Sequence, residues 1–256
     1  LATVISQALA ALLVCITLMK EPDATHLDLH KLRIDRAMAM EIIRIGEPAG
    51  LQGMAFSLSN VVVQSSINSF GSSVIVAGNS ASNNIENFVY IGMSAFTQAC
   101  ITFTSQNVGA QNLKRVKSIF NHSMVLTTLS AMLMGFLVWF ESLLAFYTSD
   151  PAVVEAGMLR LFWVSMFLFL NGILDVFVSS LRGMGYSSLP TIVMLVGICG
   201  VRLLWLLLIF PMHRTLTTIY LCFPLSWTIT SVVLGFIWLY CYRHMLRTNG
   251  QQAQNA

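Results

Sequence analysis

The chain has 256 residues, 56% of them hydrophobic and 10% charged, with a formal net charge of +3. A soluble domain carries about 25% charged residues, so this composition excludes an ordinary water-soluble fold and implies a surface that faces lipid. No basic tract with interleaved aromatics marks a nucleic-acid partner, and the five cysteines lie scattered in apolar stretches without metal-ligand spacing.

Apolar runs long enough to cross a hydrocarbon core, which takes about 20 residues, fall near 1–19, 49–77, 87–108, 118–146, 152–181, 189–211 and 215–242. Inside a bilayer the backbone must satisfy its own hydrogen bonds, so these runs read as about seven helical spans of an all-α polytopic membrane bundle. Turn-rich breaks separate them at Gly78-Asn79-Ser80, at Ser149-Asp150-Pro151, at Gly183-Met184-Gly185 before Pro190, and at Pro211. Residues 21–46 interleave Leu27, Ile34, Met38 and Ile42 with charges, which reads as an amphipathic cytoplasmic segment. Residues 243–256 form a tail, polar and without order from Thr248.

Basic residues set the topology. Lys20, Lys31, Arg33, Arg36, Arg44, Lys114, Arg115, Lys117, Arg182, Arg243 and Arg247 fall in one set of loops, and only Arg214 in the other. The first set is therefore expected in the cytoplasm, together with the C-terminus, and residue 1 outside. A first span that starts outside without a basic leader, at Leu1, carries the expectation of further sequence upstream.

The informative residues are polar ones at membrane depth. Ser57, Asn60, Gln64, Asn68 and Ser72 recur at helical spacing on the second span, Ser94, Gln98, Thr102 and Ser105 on the third, and Asn171, Asp175 and Ser179 on the fifth. Two readings compete for each stripe: hydrogen-bonding glue between helices, or the wall of a polar cleft. Asp175 is either a functional carboxylate or an interfacial one neutralised by Arg182. Glu86 is read as a charge at the N-terminus of the third helix. Glu141 and Arg160, at similar depth on adjacent spans, are read as an ion pair. Arg202 is the deepest cation and requires a partner that the sequence does not name. Trp139, Trp238, Tyr240 and Tyr242 fit interfacial belts. No nucleophile, base and orienting group assemble, which argues against an enzyme.

Several segments, in this order, are shared with one transporter family. They are Ile45-Gly46-Glu47-Pro48-Ala49-Gly50-Leu51-Gln52, Ile67-Asn68-Ser69-Phe70-Gly71, Thr102-Phe103-Thr104-Ser105-Gln106-Asn107-Val108-Gly109-Ala110, Asn171-Gly172-Ile173-Leu174-Asp175, Leu181-Arg182-Gly183-Met184-Gly185-Tyr186-Ser187 and Gly200-Val201-Arg202-Leu203-Leu204-Trp205. With them the chain resembles the multidrug and toxin extrusion (MATE) antiporters over nearly its whole length.

That resemblance implies two six-helix lobes around a central cleft. On it, 1–20 is the last helix of an N-terminal lobe missing here, 21–46 the linker between lobes, and 47–242 the C-terminal lobe. The implied activity is antiport across the plasma membrane: protons or sodium ions enter and bulky, often cationic organic compounds leave as the lobes rock. No cofactor is implied beyond the coupling ion. Asp175 and Asn171 become candidates for ion coupling, and Asn60, Gln64, Asn68, Gln98, Thr102 and Arg202 for the cleft lining. Two departures count against sodium coupling here: no acid stands in the second span, and Asn171 stands where sodium-coupled relatives tend to have Asp. The alternatives are a lipid-linked oligosaccharide flippase of the same superfamily and a seven-helix receptor, which lacks its motifs here.

Overall fold

The computed structural model describes residues 2–20, 27–28, 33–138, 141–145 and 147–254, and these form helices with no strand among them. Contacts divide the chain into two units, Leu1–Arg44 and Ile45–Ala256. In the first unit, α1 (Ala2–Lys20) is a 19-residue apolar helix with no buried residue. At 1.5 Å per residue it is about 28 Å long, close to the thickness of a hydrocarbon core.

The second unit is a bundle. α2 (Arg36–Asn68) begins in the first unit and contributes its length from Ile45 onward. It is followed by α3 (Ser73–Gly109), α4 (Leu113–Val138) and the short α5 (Glu141–Ala145). The next rod is composite: α6 (Pro151–Arg160), a π-helical turn over Leu161–Ser165, and α7 (Leu168–Gly183), bent by 41°. α8 (Ser188–Met194), a second π turn over Leu195–Gly200 and α9 (Val201–Leu208) make another, and α10 (Leu216–Gln254) is the last. Together with α1 these are seven rods among the described residues.

Local chemistry sets the ends. Asp150 caps α6, accepting from the Ala152 amide at 3.0 Å, and Pro151 follows at the first helical position, where its missing N–H costs nothing. Gly185 leaves α7 at φ +91°, a left-handed turn that glycine adopts without strain.

α3 packs against α4, α6 and α7, and α10 against α7 and the composite rod of α8 and α9. Arg214 Nη2 donates to Ser69 Oγ at 3.3 Å, so the turns after α2 and before α10 share one end of the bundle. At the other end Tyr242 Oη donates to the Leu113 carbonyl at 3.3 Å. Leu129, Leu133 and Phe136 on α4 and Leu204, Leu207 and Leu208 on α9 are exposed, as lipid-facing residues should be.

Three described helices are apolar enough on their own to cross a membrane: Ala2–Lys20, Ser188–Leu208 and Leu216–Arg247. The bent pair in the α6–α7 rod makes a fourth. α2 and α3 are longer than needed, at 33 and 37 residues, but each carries a polar face that lowers its mean hydropathy.

Four expectations from sequence need correction. The break between the second and third spans is not at Gly78-Asn79-Ser80 but at Ser69–Ser72, where Gly71 has φ +66°. Ser72 therefore caps α3 instead of extending the α2 stripe, its Oγ accepting from the Ile75 amide at 3.4 Å. Gly78 is a packing residue: a Cβ there would lie 2.7 Å from the Val153 carbonyl oxygen and 2.8 Å from the Gly157 amide nitrogen. One turn on, Ser82 Oγ donates to the Gly157 carbonyl at 2.8 Å, so small residues at i and i+4 let α3 and α6 touch backbone to backbone.

Trp238 is buried, stacked on Phe120 at 4.0 Å and on Tyr242 at 5.1 Å, and does not belong to an interfacial belt. Its Nε1 donates to Ser180 Oγ at 2.8 Å. The tail is helical from Thr248 to Gln254 as a continuation of α10. Trp139 and most of residues 21–32 lie outside the described residues.

Gly78→Val is expected to drive the β-carbon into the α6 backbone and to cost about 1–3 kcal/mol. Gly109→Ala, with nothing within 4 Å of its Cβ, is expected to be neutral or slightly stabilising. Thermal unfolding of the two variants in detergent checks the contrast.

Candidate functional site

The centre of the bundle is a polar network hung on one guanidinium. Arg160, 5% exposed at the C-terminal end of α6, directs Nε to Glu86 Oε1 at 3.0 Å and Nη2 to Glu86 Oε2 at 2.7 Å. Two parallel bonds of this kind form the bidentate pairing that arginine makes best with carboxylates. Its Nη1 donates to Asn79 Oδ1 at 2.6 Å, and Nη2 also to Asn83 Oδ1 at 3.1 Å. Asn79 Nδ2 then donates to Gln64 Oε1 at 2.9 Å, and Gln64 Nε2 to Asn68 Oδ1 at 2.9 Å. One continuous chain of bonds thus joins α2, α3 and α6.

The sequence-based assignment of Glu86 is overturned, and Arg160 has a partner that the sequence reading did not name. Glu86 stands in the middle of α3, not at its start, and it is Glu86 that pairs with Arg160. The side chain of Glu141 lies outside the described residues. Placing the helix break at Gly78 hid the whole face formed by Asn79, Asn83, Glu86, Asn87 and Tyr90. Their spacing of three and four residues is the signal that would have revealed it.

This network forms part of the wall of a cavity of about 760 Å³. Of the residues proposed from sequence, Asn60, Gln64, Asn171, Asp175 and Arg202 line it. Asn68 reaches it only through Gln64. Gln98 and Thr102 do not line it: both are exposed, and Thr102 Oγ1 donates back to the Gln98 carbonyl of its own helix at 2.9 Å. Ser94 and Ser105 are satisfied in the same way, by Ile91 and Thr102 carbonyls.

Asn171 Nδ2 lies 3.3 Å from Asp175 Oδ2. Arg182 is engaged elsewhere, donating from Nη2 to Gln52 Oε1 at 2.7 Å, and no ion pair joins it to Asp175 among the described residues.

Arg202 sits on the same wall, 3% exposed, immediately after the π turn over Leu195–Gly200. Its Nε donates to Ser226 Oγ at 3.2 Å. Its Cζ lies 4.3 Å from the centroid of Phe223 and 5.9 Å from that of Trp227. Arg160 Cζ lies 5.6 Å from the same Phe223 centroid. A desolvated cation–π contact is worth about 2 kcal/mol. Burying a charge costs several kcal/mol even after relaxation, so aromatic rings and one hydroxyl leave Arg202 under-compensated.

With this geometry in place, comparison with known proteins identifies the family. The MatE family model matches residues 48–207 of the 256. The chain belongs to the MatE family. It is 25% identical over 165 residues to the probable multidrug resistance protein NorM of Thermotoga maritima, covering 64% of this chain and 35% of that protein. It is likewise 25% identical over 207 residues to the probable multidrug resistance protein YoeA of Bacillus subtilis, covering 78% and 44%.

Among solved structures, a MATE transporter crystallised in complex with MaL6 superposes with a TM-score of 0.85 at 14% identity, over 96% of this chain and 56% of the other. A MOP-superfamily transporter from Pyrococcus furiosus, described as having a binding pocket of reverse polarity, gives 0.82 at 15%, over 95% and 55%. At such identity the likeness is one of fold. The MatE chain described here thus spans about half the length, or less, of the proteins it resembles.

Removing one partner of the buried pair, by Glu86→Gln or Arg160→Met, is expected to cost about 3–5 kcal/mol, because it strands the other charge. The double variant should lose less than the sum of the two. Chemical unfolding in detergent measures all three, and additive losses would show that the pair is not coupled.

Proposed function

We propose that this chain is the C-terminal part of a secondary transporter that exports bulky, often cationic organic compounds in antiport with protons or sodium ions. The observation that carries this reading is Asp175, a carboxylate lining the cavity beside Asn171 while Glu86 is committed to Arg160. A carboxylate free of an ion pair at membrane depth is suited to bind a proton, a metal cation or a cationic substrate in turn.

The export reading is supported by family membership and by two curated relatives whose names denote multidrug resistance. A second lobe would complete the cleft, as the greater length of those relatives implies, and alternating access would follow from rocking of lobe against lobe. In this arrangement 47–242 acts as one lobe, 21–46 as its connection and 243–256 as a cytoplasmic tail.

MatE membership sets the seven-helix receptor aside. Against the oligosaccharide flippase stands Arg160: Glu86 neutralises it, which leaves only Arg182 and Arg202 of the cavity arginines without a paired carboxylate among the described residues.

Asp175→Asn in the full-length transporter is expected to abolish ion-coupled efflux of a cationic dye from proteoliposomes while leaving insertion and folding near normal. Efflux per folded molecule is measured across pH, with and without sodium, and unaltered coupling would retire Asp175. Orientation is tested separately by cysteine labelling. Cysteines replacing Ser69 and Asp150 should react from outside the cell, those replacing Gln111 and Ser187 only from the cytoplasm. The reverse pattern would overturn the plasma-membrane orientation.

A further inference from the structure

Arg202 is the most deeply buried of the cleft arginines, and no carboxylate among the described residues pairs with it. Glu86 closes on Arg160 through both carboxylate oxygens, while Arg182 has the neutral Gln52 amide on Nη2 and an Nε without a partner among the described residues. Arg202 spends only Nε, on Ser226, and neither of its Nη atoms has an acceptor among the described residues. It is nonetheless 97% buried by its 3% exposure, and it lines the cavity.

A second donor stands beside it. Trp227 lines the same cavity, is 4% exposed, and its indole Nε1 is buried without a hydrogen-bond partner among the described residues. Native interiors leave few buried donors unmatched, and two on one wall of one cavity call for a common acceptor. The rings of Phe223 and Trp227 hold the guanidinium while leaving its outer nitrogens free. A guanidinium with two free nitrogens matches a carboxylate, sulfonate or phosphate, which can accept two parallel bonds.

We propose that Arg202 and Trp227 form an anion-binding subsite of the cleft, which receives the carboxylate, sulfonate or phosphate of an amphiphilic, aromatic substrate. The inference rests on the export reading and narrows it: substrates carry a negative group at Arg202, and a zwitterion would set its cationic end toward Asp175. A cavity of about 760 Å³ is of the size that takes a drug-sized molecule. Its walls carry three arginines against two carboxylates, a balance that favours an anionic guest.

The test uses the full-length transporter in nanodiscs and two probes that share one fluorophore, dansylglycine (anionic) and dansylcadaverine (cationic). Wild type is expected to bind dansylglycine, and Arg202→Gln to shift the ratio of the two dissociation constants roughly tenfold toward the cation, the loss expected for a charge-assisted bond. Arg202→Lys should keep the ratio near wild type. Trp227→Phe, which keeps the ring and removes only the N–H, should shift it the same way by a smaller factor, and it serves if Arg202→Gln fails to fold.

A ratio unmoved by both variants overturns the subsite, since a merely structural role would weaken both probes alike. Failure of wild type to bind dansylglycine, while it still exports dansylcadaverine from proteoliposomes, overturns the subsite and leaves the export reading standing. Discs containing phosphatidylglycerol identify the source of the anion: competition with dansylglycine assigns the subsite to a lipid headgroup, and its absence to a free solute. Either result supports an anion site.

Discussion

The rest of this bundle depends on the ion pair of Arg160, a buried guanidinium that finds its counter-charge inside the protein. Glu86 supplies the charge, while Asn79 and Asn83 take two of the three remaining donors. Each of those side chains comes from α3, so α3 must lie against α6 in one register only. Gly78 and Gly157 permit that register by bringing the two backbones together, and Ser82 bonds across the contact. The rest of the cleft is built outward from this anchor, through Asn79 and Gln64 to α2 and through Phe223 to α10.

Such an arrangement suits a solvent that offers no hydrogen bonds. In lipid, apolar burial contributes little to helix association, and close packing and buried polar bonds carry more of it. The seams follow this logic beyond α3 and α6. A Cβ on Gly172 would lie 2.8 Å from Met93 and Thr127 side-chain atoms, and one on Gly183 would lie 2.7 Å from Thr104. Gly197 faces Thr230 in the same way, joining the α8–α9 rod to α10. The bundle is knitted by small residues and a few polar bonds, while its outer surface is left to Leu, Phe, Val and Ile.

How far this was legible in the sequence depended on what each residue was competing with. Length and apolarity located the seven rods, because both are bulk properties. Asp150-Pro151 and Gly185 marked true ends, since capping and positive φ are local chemistry. Gly78-Asn79-Ser80 misled because glycine and asparagine are turn formers in water, whereas in a membrane bundle glycine is a packing residue and asparagine a bonding one. The error hid the part of the cleft wall that α3 supplies and misassigned Glu86. Asp175, Asn171, Gln64 and Arg202 were found on the wall because they are too polar for lipid wherever the helix ends fall. Gln98 and Thr102 look the same in sequence, and only three-dimensional packing separates a helix face that lines the cavity from one that does not. The partner of Arg160 was invisible for a different reason: it lies 74 residues away.

The contrast between seams and outer face has a consequence for how such a chain can drift over evolutionary time. Lipid is a fluid partner, so Leu133 or Leu207 can be exchanged for almost any apolar residue without a matching change elsewhere. A seam glycine has a fixed backbone or side chain against it, and its replacement requires a compensating change on the facing helix. Substitutions should therefore accumulate singly on the perimeter and in matched pairs, or not at all, along the seams. A sequence can then diverge widely over its surface while the spacing of its glycines and buried amides, and with it the fold, stays in place.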